Sequence, residues 1–123
     1  MAEDRLYTVE EVNELLPELR ERLVRVREAR QAMLKGAQLL KGRVATDGGG
    51  TSGREYWEAQ EALRAEIERL AEENIALRDP ETGLVDFPGE REGRRVWLCW
   101  RLGEERVAHW HELNQGFIGR QPL

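Results

Sequence analysis

Apolar residues recur at alternating spacings of three and four along residues 9–40. Nine of these ten positions are apolar, and Arg30 is the exception. The positions are Val9, Val12, Leu16, Leu19, Leu23, Val26, Arg30, Met33, Ala37 and Leu40. So narrow and regular a seam is typical of a helix that packs along a second helix in a coiled coil. We therefore predict one long helix over this segment and a helical partner for it.

The start of this helix carries its own capping residues. The Thr8 hydroxyl can accept a hydrogen bond from the Glu11 amide, while the Glu11 carboxylate accepts one from the Thr8 amide. Tyr7 and Val12 stand at the two positions of a hydrophobic staple. Pro17 removes one backbone donor inside the predicted helix, so we expect a kink there with helix on both sides.

A glycine-rich link separates this segment from a second periodic one. Residues 42–53 contain five glycines, which predicts a flexible, irregular connection. From about Arg54 to Arg78 a second seam follows, and Asp79-Pro80 ends it. The seam consists of Tyr56, Gln60, Leu63, Ile67, Leu70, Asn74 and Leu77. We predict an antiparallel, coiled-coil-like helical hairpin over about residues 8–78. Because apolar residues also lie outside the two seams, we expect a homodimer with a four-helix arrangement.

The C-terminal third of the chain has an extended rather than a helical pattern. Leu84–Pro88 form a short extended segment that ends at Pro88-Gly89. Arg95–Arg101 then has the β-branched and aromatic character of a strand, and Arg106–His111 returns after a turn at Leu102–Glu105. We predict a Trp-rich β-hairpin tail within about residues 84–123. With the turn centred near Gly103–Glu104, Cys99 lies opposite His109 and Trp97 lies opposite His111.

This register places candidate functional side chains on one face of the hairpin. Cys99, His109 and His111 are ligand types that suit zinc, and Asp86 or Glu104 could provide a fourth ligand. A second interpretation is a Cys–His nucleophile pair, in which a histidine lowers the pKa of Cys99. A third is structural: the tryptophans and the cysteine form an apolar cap on the helices, and the histidines are partly exposed.

Charge and composition narrow the class of function. The net charge is −5, which makes a nucleic acid or an anionic membrane a poor candidate for a partner. No apolar run approaches the roughly 18 residues that span a bilayer, and the first residues lack the pattern of a signal peptide. A single cysteine cannot form an intrachain disulfide, so we expect a cytoplasmic protein.

Several segments also carry the motifs of a known family. These motifs are Tyr7–Pro17, Gly83–Pro88, Leu98–Glu104, Trp110-His111 and Gly116–Pro122. On them the chain resembles a small, uncharacterised bacterial family, a domain of unknown function. The resemblance covers nearly the whole chain and implies a single domain, but it brings no activity with it.

Together these observations predict one α+β domain, mainly α, over residues 1–123. The predicted function is that of a small interaction or binding module, with the C-terminal tail as the recognition surface for a protein partner. The residues predicted to form that surface are Trp97, Trp100, Arg101, Trp110, Phe117 and Arg120. The alternative is a zinc-type metal-binding protein, with or without enzymatic activity, that uses Cys99, His109 and His111 together with Asp86.

Overall fold

In a computed structural model the chain folds as two helices followed by a five-stranded antiparallel sheet. The structure describes residues 5–47 and 50–123, and the side chains of residues 5–38 and 53–123. The elements are α1 (Val9–Asp47), α2 (Gly50–Glu72), β1 (Ala76–Asp79), β2 (Leu84–Arg91), β3 (Arg94–Arg101), β4 (His109–His111), a 3₁₀ turn (Phe117–Gly119) and β5 (Gln121–Pro122). The predicted α+β class is confirmed. None of the helices in the described part of the chain combines the length and the apolar character needed to cross a bilayer.

The N-terminus of α1 has the predicted capping box. The Thr8 amide donates to Glu11 Oε1 at 2.8 Å, and the Glu11 amide donates to Thr8 Oγ1 at 3.0 Å. The helix continues through Pro17, so the prediction of helix on both sides of this residue is confirmed. The seam residues from Val12 to Val26 are buried in the core. The side chain of Leu40 lies outside the described ones.

The predicted extent of the glycine-rich link is wrong. Residues 42–47 belong to α1 and residues 50–53 belong to α2, while residues 48 and 49 lie outside the described part of the chain. Glycine in a helix costs about 1 kcal/mol relative to alanine. Extending an existing helix nevertheless avoids the unfavourable nucleation step, so isolated glycines near its end are tolerated.

The second helix ends at Glu72 rather than at Arg78, and the cause is Asn74. This residue has a φ of 63°, in the left-handed region that asparagine tolerates better than most residues. The Asn74 amide donates to the Ala71 carbonyl and the Ile75 amide to the Leu70 carbonyl, at 3.0 and 2.9 Å. This pair of bonds is a Schellman motif, which terminates the helix. Residues 76–78, predicted as the end of this helix, therefore belong to β1 together with Asp79.

The two helices run antiparallel and approach closely. A Cβ added at Gly36 would lie 3.2 Å from the Tyr56 Cβ, so the small residue permits the contact. Nearer the sheet, the guanidinium of Arg22 bonds the carboxylates of Glu66 and Glu73. Only 1% of the Arg22 side chain is exposed. This buried arginine therefore joins α1 to the C-terminal end of α2.

Each strand of the sheet pairs with its neighbour in sequence, in the order β1-β2-β3-β4-β5. The predicted single hairpin is therefore too small: β2 runs on through Pro88 and Gly89 and joins β3 by the two-residue turn Glu92-Gly93. Both turn residues have positive φ, at 54° and 79°, as a type I′ turn requires. The strand β4 begins at His109 rather than at Arg106. The predicted register between β3 and β4 is confirmed, with Cys99 opposite His109 and Trp97 opposite His111.

One face of the sheet packs against the helices. Alternate residues of β2, β3 and β4 join the helix seams in the hydrophobic core; they are Val85, Phe87, Val96, Leu98, Trp100 and Trp110. The residues between them in sequence point to the opposite face, because successive side chains of a strand alternate. That second face carries the polar residues described next.

Candidate functional site

The polar face of the sheet brings together an aspartate, a cysteine and a histidine from three adjacent strands. Asp86 on β2 pairs with Cys99 on β3. His111 on β4 lies on the same face, two residues beyond the position opposite Cys99. Their exposed fractions are 2%, 0% and 1%. One ligand atom from each residue lies within 4.8 Å of the others. We refer to these three residues as the buried triad.

The hydrogen bonds of Asp86 are all on one of its two carboxylate oxygens. Arg78 Nε donates to Oδ2 at 2.9 Å, and His111 Nε2 lies 3.0 Å from the same atom. The other oxygen, Oδ1, is buried and has no hydrogen-bond partner among the described residues. A buried carboxylate oxygen without a donor is rare, because its desolvation is not compensated. An ordered water molecule, the Cys99 thiol or a bound cation would each satisfy this oxygen.

Both ring nitrogens of His111 have a defined neighbour. Nδ1 lies 2.9 Å from the Glu112 carbonyl oxygen, which can only accept a hydrogen bond, so Nδ1 carries a proton. Nε2 lies 3.0 Å from Asp86 Oδ2. The hydrogen bond at Nδ1 therefore orients the ring so that Nε2 faces Asp86.

Cys99 is a protonated thiol in this environment. Burial, and then the charge of Asp86, raise the pKa of Cys99 from 9.0 to about 12. An activated cysteine nucleophile requires the opposite shift, towards a thiolate at neutral pH. The interpretation of Cys99 and a histidine as a nucleophile pair therefore has no support from the electrostatics of the site.

His109 lies outside the triad, although the sequence predicts it as a ligand. Its Nδ1 accepts a hydrogen bond from Arg120 Nη2 at 2.8 Å. The same guanidinium nitrogen donates to both carboxylate oxygens of Glu104, at 2.9 and 2.7 Å. The structure therefore places His109 and Glu104 with Arg120 and brings neither to the Asp86–Cys99–His111 group. The Nε of Arg120 is buried without an acceptor among the described residues.

A cavity of about 420 Å³ borders the triad. Its wall includes Arg78, Leu84 and Asp86 from the sheet and residues 113–117 from the segment between β4 and β5. Asp86 belongs to both the triad and the cavity wall. An ion bound to this carboxylate would therefore lie beside a space large enough for a small molecule.

The aromatic residues predicted to form a recognition surface separate into two groups. Trp100 and Trp110 are 0% and 6% exposed and lie in the core, so their assignment to a binding surface is wrong. They face the helices because their strand positions have the opposite parity to Cys99 and His111. Trp97 is half-buried on the polar face, 4.8 Å below the guanidinium of Arg78. Phe117 lies at the cavity wall with Arg101 and Arg120 over its ring, at 4.8 and 4.6 Å.

Sequence reasoning missed Arg78 as a residue of this site, because it assigned that position to the second helix. Two signals could have corrected the assignment. Asn74 is a residue type that caps helices in the left-handed conformation. The run from Ala76 to Asp79 can also pair with Leu84–Asp86 across the turn at Asp79–Gly83.

Comparison with known proteins identifies one match. The model of a family described as "Uncharacterized conserved protein (DUF2203)" matches residues 5–123. No curated protein and no solved structure matches the chain.

Proposed function

We propose that the chain, which belongs to this uncharacterised conserved protein family, binds a zinc-type metal ion through the buried triad. The proposal rests on one observation: a ligand atom from each of Asp86, Cys99 and His111 lies within 4.8 Å of the other two. The carboxylate of Asp86 also has one oxygen, Oδ1, without a hydrogen-bond partner among the described residues. A mixed oxygen, sulfur and nitrogen donor set suits zinc better than calcium or magnesium, which prefer oxygen ligands alone.

The distances agree with one common ion. Tetrahedral zinc with bonds of about 2.0–2.3 Å separates any two ligand atoms by about 3.3–3.8 Å. Closure of the triad by about 1 Å would therefore bring all three side chains to the ion. The surrounding hydrogen bonds already orient two of the ligands: the Glu112 carbonyl fixes the ring of His111, and Arg78 fixes the carboxylate of Asp86.

Metal binding has a proton cost at this site. Cys99 must lose its thiol proton, and a zinc-bound imidazole nitrogen must carry no proton. The affinity for the ion should therefore rise with pH. The positive charge of the ion would then compensate the buried carboxylate.

Three protein ligands leave zinc with an open coordination position, as in catalytic zinc sites. Because Asp86 also borders the cavity, that position would be accessible to a small molecule bound there. The recognition role predicted for the C-terminal tail would then belong to the cavity and its rim, where Arg101, Phe117 and Arg120 lie.

Metal analysis of protein purified without a histidine tag tests the proposal. The wild-type protein should contain about one zinc per chain, and its melting temperature should rise when zinc is added to chelator-treated protein. Asp86→Asn, Cys99→Ser and His111→Gln should each weaken zinc binding by more than the roughly 10- to 100-fold cost of losing an orienting hydrogen bond.

His109→Gln is the matched control, because this histidine lies on the same strand and outside the triad. It should retain wild-type zinc content and the zinc-dependent rise in melting temperature. The proposal fails if the wild-type protein takes up no metal and its melting temperature does not respond to zinc. It also fails if His109→Gln loses the metal as His111→Gln does.

A further inference from the structure

The cavity beside the triad contains an arginine whose position is fixed on two sides. Arg78 Nε donates to Asp86 Oδ2 at 2.9 Å, and the guanidinium carbon lies 4.8 Å from the centre of the Trp97 ring. An ion pair and a stacked aromatic ring restrict a side chain that is otherwise flexible. No protein acceptor among the described residues bonds the two Nη groups of Arg78. These groups are therefore available as donors at the cavity wall.

We propose that Arg78 receives the oxyanion group, a carboxylate or a phosphate, of a small-molecule ligand that binds in this cavity. The planar guanidinium presents parallel N–H donors that match two oxygens of such a group. The rest of the cavity wall accommodates an uncharged remainder, since Leu84, Leu113 and Phe117 supply apolar surface and Asn114 supplies an amide.

This inference rests on the proposed function for the place of the ligand beside the metal ion. The binding of an oxyanion to Arg78 does not itself require the ion. Asp86 connects the two, because one of its oxygens bonds Arg78 and the other has no partner. An oxyanion in the cavity would lie beside both the guanidinium and the open position of the metal ion. Two adjacent positive charges would then hold one anionic group.

Nuclear magnetic resonance titrations can test this inference and the metal site separately. The signals of Arg78 Nε–H and the Trp97 indole N–H are followed while sodium phosphate or sodium acetate is added at constant ionic strength. Each titration is performed on chelator-treated and on zinc-loaded protein. We expect saturable shifts with at least one of the two anions, and tighter binding in the zinc-loaded protein.

Arg78→Gln should weaken this binding by about 10- to 100-fold, the range for loss of charge-assisted hydrogen bonds. Arg91→Gln is the matched control: Arg91 also stacks on a tryptophan, 4.9 Å from the Trp110 ring centre, but it borders a different cavity. Saturation in chelator-treated protein that takes up no zinc would support the oxyanion site and reject the metal. Zinc uptake without a saturable shift for either anion would overturn the oxyanion site, and so would equal binding by Arg78→Gln.

A different observation concerns the outer surface of the helix pair. Trp57, Gln60, Arg64 and Ile67 recur at spacings of three, four and three, so they share one stripe of α2. Trp57 and Ile67 are 64% and 42% exposed. A groove of about 370 Å³ lies beside Ile67, and Gln60, Leu63 and Arg64 also line it.

From this stripe we infer that a second copy of the chain packs on the groove, with the two α2 helices antiparallel. A two-fold axis level with residue 62 places Trp57 beside Ile67 of the partner subunit. The same axis places Gln60 opposite Arg64 of the partner subunit. Arg64 then also lies near Glu61 of the partner subunit, so the pairing is complementary in charge as well as apolar.

Light scattering tests this arrangement. The wild-type protein at micromolar concentration should have about twice the 14.2 kDa mass of one chain. Ile67→Glu should give a folded monomer, as judged by circular dichroism, because it places a charge in the apolar contact. Ile118→Glu, at a 99% exposed site on the segment before β5, should remain dimeric. A monomeric wild-type protein would refute the pairing, and a dimeric Ile67→Glu variant would show that copies associate through another surface.

Discussion

Replacement of Arg22 by methionine should lower the free energy of unfolding by about 3 kcal/mol. Breaking a buried ion pair on one side typically costs about 3–5 kcal/mol, because the remaining charge has no partner. We expect the lower end of that range, since Glu66 and Glu73 retain 17% and 32% exposure and water can reach them. Methionine fills much of the same volume, so the loss would report on charge rather than on a cavity. Urea unfolding at a fixed protein concentration measures it.

Arg64→Met is the control for this variant. Arg64 also contacts two glutamates, Glu61 and Glu68, but all three side chains are more than half exposed. Both arginines are replaced in the Ile67→Glu background, in which the proposed contact of Arg64 with the partner subunit is absent. There the replacement of Arg64 should change stability little, because solvent screens such pairs. A second test removes the unpaired charges: Glu66→Gln and Glu73→Gln should recover part of the stability of Arg22→Met. Equal losses at Arg22 and Arg64 would contradict the view that burial decides the contribution of the pair.

In chelator-treated native protein, the Cys99 thiol should react with iodoacetamide at pH 8 about a thousandfold more slowly than in urea-unfolded protein. Only the thiolate reacts, and a pKa near 12 instead of 9.0 reduces its population by about this factor. The native rate should continue to rise about tenfold per pH unit from pH 8 to pH 10. A native rate that levels off near pH 9 would show that the pKa of Cys99 is not raised.

The same shift has a consequence for stability. Between pH 9 and the raised pKa near 12, the folded state keeps the Cys99 proton that the unfolded state has lost. The unfolding free energy contributed by this group is therefore fully present below pH 9 and decreases as the pH rises towards 12. Cys99→Ala should remove this part of the decrease in unfolding free energy above pH 9. The pH dependence of the unfolding free energy below pH 8 should stay unchanged.

Local sequence signals predicted much of the fold, because they act through neighbouring residues. The capping box at Thr8 and Glu11 forms as expected, and the seam from Val12 to Val26 is buried. The register of Cys99 against His109 was also predictable, since the turn near Gly103 fixes which residues face each other. In each case a few adjacent residues determine the outcome.

The sequence-based predictions failed where the same residue type suits two different structures. Asn74 fits the periodic seam of a helix and also the left-handed position that ends one. The tertiary pairing of Ala76–Asp79 with β2 decided between these two roles. Of the candidate ligands, Asp86, Cys99 and His111 lie together, whereas Arg120 holds His109. The position of Arg120 depends on the fold of the last ten residues, which no periodic pattern indicates.

The meander order of the sheet also bears on how the chain folds. Each strand forms its bonds with the next one in sequence, so the sheet requires only short loops to close and their entropic cost is small. Docking of α1 on the sheet instead joins residues that are far apart in sequence. The Val107 amide donates to Asn13 Oδ1 across 94 residues of chain. The sheet can therefore assemble as a local unit, and attachment of the N-terminal helix is the step limited by chain topology.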